Sequence, residues 1–129
     1  MLKTGILNPA INSLISRVRH TNTLVIADRG FPSWPQLETV DISLVDDMPS
    51  VLDVLNAPLP NFSCSRAYIA KEFETHNNSR SLEDLKAVLG NIELIRLPHM
   101  ELRTRVPSAT GVIRTGDTVQ YANVILEPA

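Results

Sequence analysis

Cysteine and aromatic side chains are scarce in this sequence, and charge of one sign is not in excess. The single cysteine, Cys64, excludes an intrachain disulfide framework and a thiolate metal cluster. Twelve Lys and Arg against fourteen Asp and Glu leave a net charge of −2. There is thus no basic face from which counterion release could drive binding to nucleic acid or an anionic membrane. Apolar runs stop at four or five residues, far short of the roughly 20 that span a bilayer. No signal-peptide core follows Lys3, so a cytoplasmic location is expected. Dinucleotide-binding, phosphate-binding, nucleophile-elbow and zinc-protease signatures are all missing. The three histidines, at 20, 76 and 99, lack metal-ligand spacing, and no metal or cofactor is expected.

What the chain does have is branched aliphatic mass. Leu, Ile and Val number 37 of 129 residues, too many for a disordered chain and enough to build one core. No linker, repeat or low-complexity stretch divides the sequence, which reads as one domain over 1–129. Asn8-Pro9 looks like an N-cap followed by proline at the first helical position. Ile11, Leu14, Ile15 and Val18 follow at helical spacing, ending near His20. Thr23 to Ala27 is a continuous run rich in β-branched residues, as in a strand covered on both faces, and it stops at the turn signal Asp28-Arg29-Gly30-Phe31-Pro32. Thr39 to Leu44 alternates as a second strand. Pro49 opens a helix, Ala67 to Ala70 forms a third strand, and Ser81 with Asp84 has the form of a capping box before a helix that ends at Gly90. Ile92 to Leu97 is a fourth strand, and Met100 to Arg105 a short helix. Val112 to Arg114 and Asn123 to Leu126 read as two closing strands joined by a turn at Thr115-Gly116-Asp117. The alternation predicts a three-layer α/β/α, Rossmann-like domain with a mostly parallel sheet of about six strands and an antiparallel edge at the C-terminus.

Ligands of such sheets bind beyond the carboxyl ends of the strands. Asp28 and His99 each follow a strongly apolar strand and begin a turn, and Glu72 follows the third. Each also has a plain reading: Asp28 as a turn-forming residue, His99 as a cap or loop residue, and His20 as a charge complementing a helix C-terminus. Tyr121-Ala122-Asn123 leads into the last strand, either as a buried tyrosine or as a phenol and amide aimed at a polyol. His76, in Thr75-His76-Asn77-Asn78, reads as a solvated loop with no assigned role.

In combination, the segments His20-Thr21-Asn22-Thr23-Leu24-Val25-Ile26-Ala27-Asp28, Val40-Asp41-Ile42-Ser43-Leu44, Pro98-His99, Ile113-Arg114-Thr115-Gly116 and Tyr121-Ala122-Asn123 resemble the D-ribose pyranase and fucose mutarotase family. His99, Ala122 and Val40 to Leu44 lean toward the pyranase branch. The resemblance implies acid–base interconversion of pyranose and furanose sugar, without metal or cofactor. It makes His20 the proton donor, with Asp28, His99, Tyr121, Ala122 and Asn123 contacting a monosaccharide, D-ribose above all. It further implies homo-oligomeric rings, typically decamers, with sites shared between adjacent subunits. A fucose-type mutarotase and a sugar-binding protein without turnover are the alternatives. Arg29 stands where a small residue is usual, Trp34 adds bulk nearby, and Arg103 takes the place of a frequent lysine. One geometric problem follows. A strand between His20 and Asp28 spans roughly 16 Å, so either the chain folds back after His20 or the two residues meet across subunits.

Overall fold

The apolar runs order themselves by how deeply each must be buried. In the computed structural model, which describes residues 1–129, β1 (Leu24–Ala27) has all four side chains fully buried. It takes a central place in a six-stranded sheet, beside β5 (Gly111–Arg114) on one side and β6 (Val124–Pro128) on the other. β2 (Thr39–Asp41) forms the edge beyond β5, and β3 (Cys64–Ala70) and β4 (Glu93–Leu97) complete the order β2-β5-β1-β6-β3-β4. The pairs β1–β5, β2–β5 and β3–β4 are parallel. β6 runs antiparallel to both β1 and β3.

This corrects the expected topology. The antiparallel strand lies at the centre of the sheet and not at its edge, and β5 and β6 are not neighbours, because β1 lies between them. Val124, Ile125 and Leu126 are all buried, and such a run needs cover on both faces. The connection through residues 115–123 is long enough to carry it across β1.

The helices divide unevenly between the faces. α1 (Pro9–Ser16), α2 (Val51–Asn56), α3 (Lys71–His76) and α4 (Ser79–Leu89) pack Leu14, Leu55, Phe73 and Leu85 against Leu24, Ile26, Ile69, Ile113 and Leu126. On the other face α5 (His99–Arg105) and the 3₁₀ turn after it set Leu102 and Val106 on Val25, Val112 and Ile125. Strand residues alternate between these two clusters, as the pleat requires.

Local capping explains where the elements begin. The Asn8 side chain accepts from the Ile11 amide at 3.1 Å, with Pro9 at the first helical position. α1 ends at Ser16, so His20 lies beyond the helix and not in its last turn. The capping box is at Ser50 and Asp53, each side chain accepting from the other's amide. α4 is capped by Asn78, placing Ser81 inside the helix. β2 stops at Asp41 because that carboxylate accepts from the Ser43 amide and hydroxyl, turning the chain out of the sheet. No helix is long and apolar enough to cross a membrane.

At the carboxyl end of β5, the loop at 44–49 is stitched to the chain at 115–118. Asp47 donates its amide to the Gly116 carbonyl at 2.6 Å, and the Gly116 amide donates to the Pro49 carbonyl at 2.8 Å. A Cβ at Gly116 would lie 2.3 Å from the Val45 carbonyl oxygen and 3.0 Å from that of Met48. Backbone cannot swing aside like a side-chain tip. Gly116→Ala is expected to cost about 1–3 kcal/mol, a fall in Tm of the order of 5–10 °C. Thermal unfolding followed by circular dichroism checks this, and an unchanged midpoint would mean that the loop gives way freely.

Candidate active site

β1 and β5 end at the same rim, and β6, running the other way, begins there. Asp28 follows β1 directly, and Tyr121, Ala122 and Asn123 precede β6. α5 begins at this rim with His99. Together they enclose a cleft of about 440 Å³, within the roughly 300–1,000 Å³ of small-molecule sites. Its polar groups are Asp28, His99, Arg103, Gln120, Tyr121 and Asn123, over an apolar floor that includes Val25 and Ile125.

Each polar group is held from behind. The Asn123 side-chain oxygen accepts from the Asp28 amide at 2.8 Å, across 95 residues of chain, so Asn123 ties the start of β6 to the end of β1. The Asp28 carboxylate accepts from the Gly30 amide at 2.9 Å. Burial pushes the Asp28 carboxyl above its ordinary range; the Gly30 amide pulls it down, nearby Asp117 pushes it up again, and Asn123 and His99 draw it back, leaving it raised. The His99 amide donates to both oxygens of Glu72, at 3.2 and 3.0 Å, which fixes the first residue of α5. His99 Nδ1 is buried with no protein partner, the kind of group that a bound ligand or water satisfies. Tyr121 has φ +57°, and its ring centroid is 5.1 Å from that of His99 in an edge-to-face arrangement. Asp117 is close by but already committed, since its carboxylate accepts from the Val51 and Val119 amides at 2.8 and 2.7 Å.

Comparison with known proteins decides the lineage. The model of the RbsD / FucU transport protein family matches residues 1–129. The chain belongs to that family. Among its relatives, a D-ribose pyranase of Lactobacillus gasseri is 37% identical over 127 residues, covering 98% of this chain and 96% of its own. A D-ribose pyranase of a Thermoanaerobacter species is 40% identical with the same coverage. Bacillus subtilis RbsD, solved in complex with D-ribose, superposes with a TM-score of 0.92 at 29% identity, covering 100% of this chain and 98% of its own. The fucose mutarotase of Streptococcus pneumoniae, solved with L-fucose, shares the fold, with a TM-score of 0.83 at 17% identity over 99% of this chain and 98% of its own.

In this RbsD / FucU chain, the sequence-derived candidates separate into two groups. Asp28, His99, Tyr121 and Asn123 converge on the cleft. Ala122 lies between two of them, but its side chain is buried in the larger core cluster on the far side of the sheet, which leaves its main chain as its only route to a ligand. His20 is not among the cleft residues. It is exposed in a tight turn in which the Arg19 carbonyl accepts from Asn22 at 3.0 Å and Thr21 has φ +67°. That turn precedes β1, so the four strand residues, roughly 13 Å of chain, stand between His20 and the cleft of its own subunit.

The departures from the RbsD / FucU pattern also find their places. Arg29 turns to Asp46, 2.5 Å away, and does not line the cleft, whereas Arg103 does. Trp34 packs against the smaller core cluster. Sequence reasoning gave no role to Gln120, Arg103 or His76. Arg103 lies four residues after His99 on α5 and therefore on the same helical face, a signal that was available. His76 is the last residue of α3, a helix the sequence did not predict, and its ring centroid lies 5.0 Å from that of Tyr121. No group of three His, Cys, Asp or Glu side chains is arranged to hold a metal ion.

Proposed function

We propose that this protein is a D-ribose pyranase, interconverting the pyranose and furanose forms of the sugar by acid–base ring opening and closing. The observation that carries the reading is the convergence of Asp28, His99, Tyr121 and Asn123 on one cleft. They come from three separate segments of the chain. The pyranases of Lactobacillus gasseri and Thermoanaerobacter support it, matching nearly end to end.

The reaction needs only proton transfers. A base takes the proton of the anomeric hydroxyl while an acid protonates the ring oxygen; the C1–O5 bond breaks and the open aldehyde forms. Rotation about the chain brings O4 to C1, and the reverse transfers close the five-membered ring. Asp28, with its raised affinity for a proton, suits exchange with a sugar hydroxyl. His99 and Asn123 orient hydroxyls by hydrogen bonds, and the Tyr121 phenol does the same from the rim.

His20 is the proton donor in this reading, and it comes from a neighbour. A ring of identical cytoplasmic subunits, decameric in size, would lay the exposed turn of one subunit over the cleft of the next and complete the site there. Saturation-transfer NMR of D-ribose with catalytic amounts of protein provides the test. Faster exchange between β-pyranose and furanose signals is expected. Acceleration confined to L-fucose would move the protein to the sister activity, and no acceleration with either sugar would leave a binding protein.

A further inference from the structure

Tyr121 occupies a backbone conformation that L residues disfavour, because its Cβ crowds the neighbouring carbonyl. With φ +57° and no glycine to relieve it, such a residue persists only where its surroundings over-determine it. The support comes from α3. At its start, the Glu72 carboxylate holds the His99 amide. At its end, the His76 ring contacts Tyr121, with centroids 5.0 Å apart and planes tilted by 52°. His76 Nδ1 lies 3.1 Å from the Glu72 carbonyl and 2.9 Å from the Thr75 hydroxyl, which sets the orientation of that ring. The next residue, Asn77, donates its side-chain amide to the Gln120 carbonyl at 2.8 Å and to the Phe73 carbonyl at 2.9 Å. One amide group thus clamps the end of α3 to the peptide immediately before Tyr121.

We propose that the His76-Asn77 pair is a positioning element: Asn77 holds the Gln120–Tyr121 backbone and His76 packs against the Tyr121 ring, so that the phenol is aimed into the cleft before sugar arrives. Neither side chain lines the cleft, and both act through Tyr121. The catalytic consequence rests on the pyranase reading, whereas the placement of the Tyr121 ring does not.

Both parts can be measured on the intact protein. In the absence of sugar, the Tyr121 ring proton resonances, assigned by their loss in Tyr121→Phe, are expected to shift in His76→Ala and Asn77→Ala. In His76→Phe they return toward the wild-type positions, because an aromatic ring is restored. Ring-form exchange is expected to slow roughly 10- to 100-fold in His76→Ala, the scale of a small misplacement of a reacting partner, and to recover in His76→Phe. In a Tyr121→Ala background His76→Ala is expected to add almost nothing, since residues acting through a shared partner are not additive. Tyr121 resonances unmoved by His76→Ala and Asn77→Ala would overturn the proposal, whether or not the wild type accelerates exchange. So would a His76→Ala effect of equal size with and without Tyr121. A wild type without activity sinks the pyranase reading by itself, and the resonances then still decide the placement.

Discussion

Replacing His20 by alanine is expected to slow ribose ring exchange by about 10²–10⁴-fold, the usual contribution of a positioned general acid. The fold should be untouched, because His20 is exposed in a turn. The decisive result lies in mixing. His20→Ala subunits retain a complete cleft, and Asp28→Asn subunits retain the donor. If one subunit's turn completes its neighbour's cleft, co-expressing the two inactive variants regenerates wild-type sites wherever an intact cleft meets an intact turn. Random association in equal amounts would restore roughly a quarter of the sites in a closed ring. Exchange rate against subunit ratio is the measurement. Activity that stays absent across all ratios would place both groups in one subunit's site, and a fully active His20→Ala protein would remove the residue from the chemistry.

Asp28→Asn is expected to separate activity from stability. The change is nearly isosteric, and the amide oxygen can still accept from Gly30, yet the group proposed to trade protons with the sugar is gone. Exchange should fall by about 10²-fold or more. Stability should move the other way at neutral pH. Burial raises the Asp28 carboxyl above its ordinary value, so the folded protein favours the protonated form more than the unfolded chain does. The associated stability is full below the unfolded value, close to pH 3.9, and is lost as pH rises through the folded value. At pH 7 the ionised carboxylate is a liability that asparagine removes, so the variant should melt at a slightly higher temperature; toward pH 3 the difference should vanish. The same upward shift places the acid limb of the wild-type rate profile above the ordinary carboxylate range if the carboxylate is the base. A neutral-pH melting point lowered by Asp28→Asn would mean that the charge is better satisfied than its surroundings suggest.

The strands expected at Thr23 to Ala27, Val112 to Arg114 and Asn123 to Leu126 are present, with ends shifted by one or two residues: Leu24–Ala27, Gly111–Arg114 and Val124–Pro128. The buried centre of such a run is sharply defined, whereas its ends are not: β5 runs on to Arg114 and β6 to Glu127 and Pro128, where the strands leave the core. Order within the sheet was not legible in the same way. Nothing local tells a terminal hairpin from two strands divided by a third, and the length of the 115–123 connection was the one hint. α3 escaped because it follows β3 without a loop and Ala70 offers no capping side chain. At Ser81 a plausible cap lost to Asn78, three residues earlier, since either residue can satisfy a first-turn amide. The site shows the same division. Asp28, His99, Tyr121 and Asn123 were readable as polar residues at the ends of apolar strands. His76 was not, because what places it beside Tyr121 is the position of a helix whose existence had no signal.

The central position of β6 has a consequence for how this molecule can be assembled at all. It follows every other strand in the chain, and it is the only seam between β2-β5-β1 and β3-β4. During synthesis, neither half-sheet can be joined to the other until that segment has been made, and the intervening chain must wait with two unpaired edges of β1 and β3 exposed. Pairings of this kind are long-range and close slowly. Damage to the segment would be a lesion through the middle of the core, not a trimmed edge, and the same residues that finish the sheet also bring Tyr121 and Asn123 to the rim. The cleft therefore cannot be complete until β6 is in the sheet, and a chain that has a site already has its two half-sheets joined.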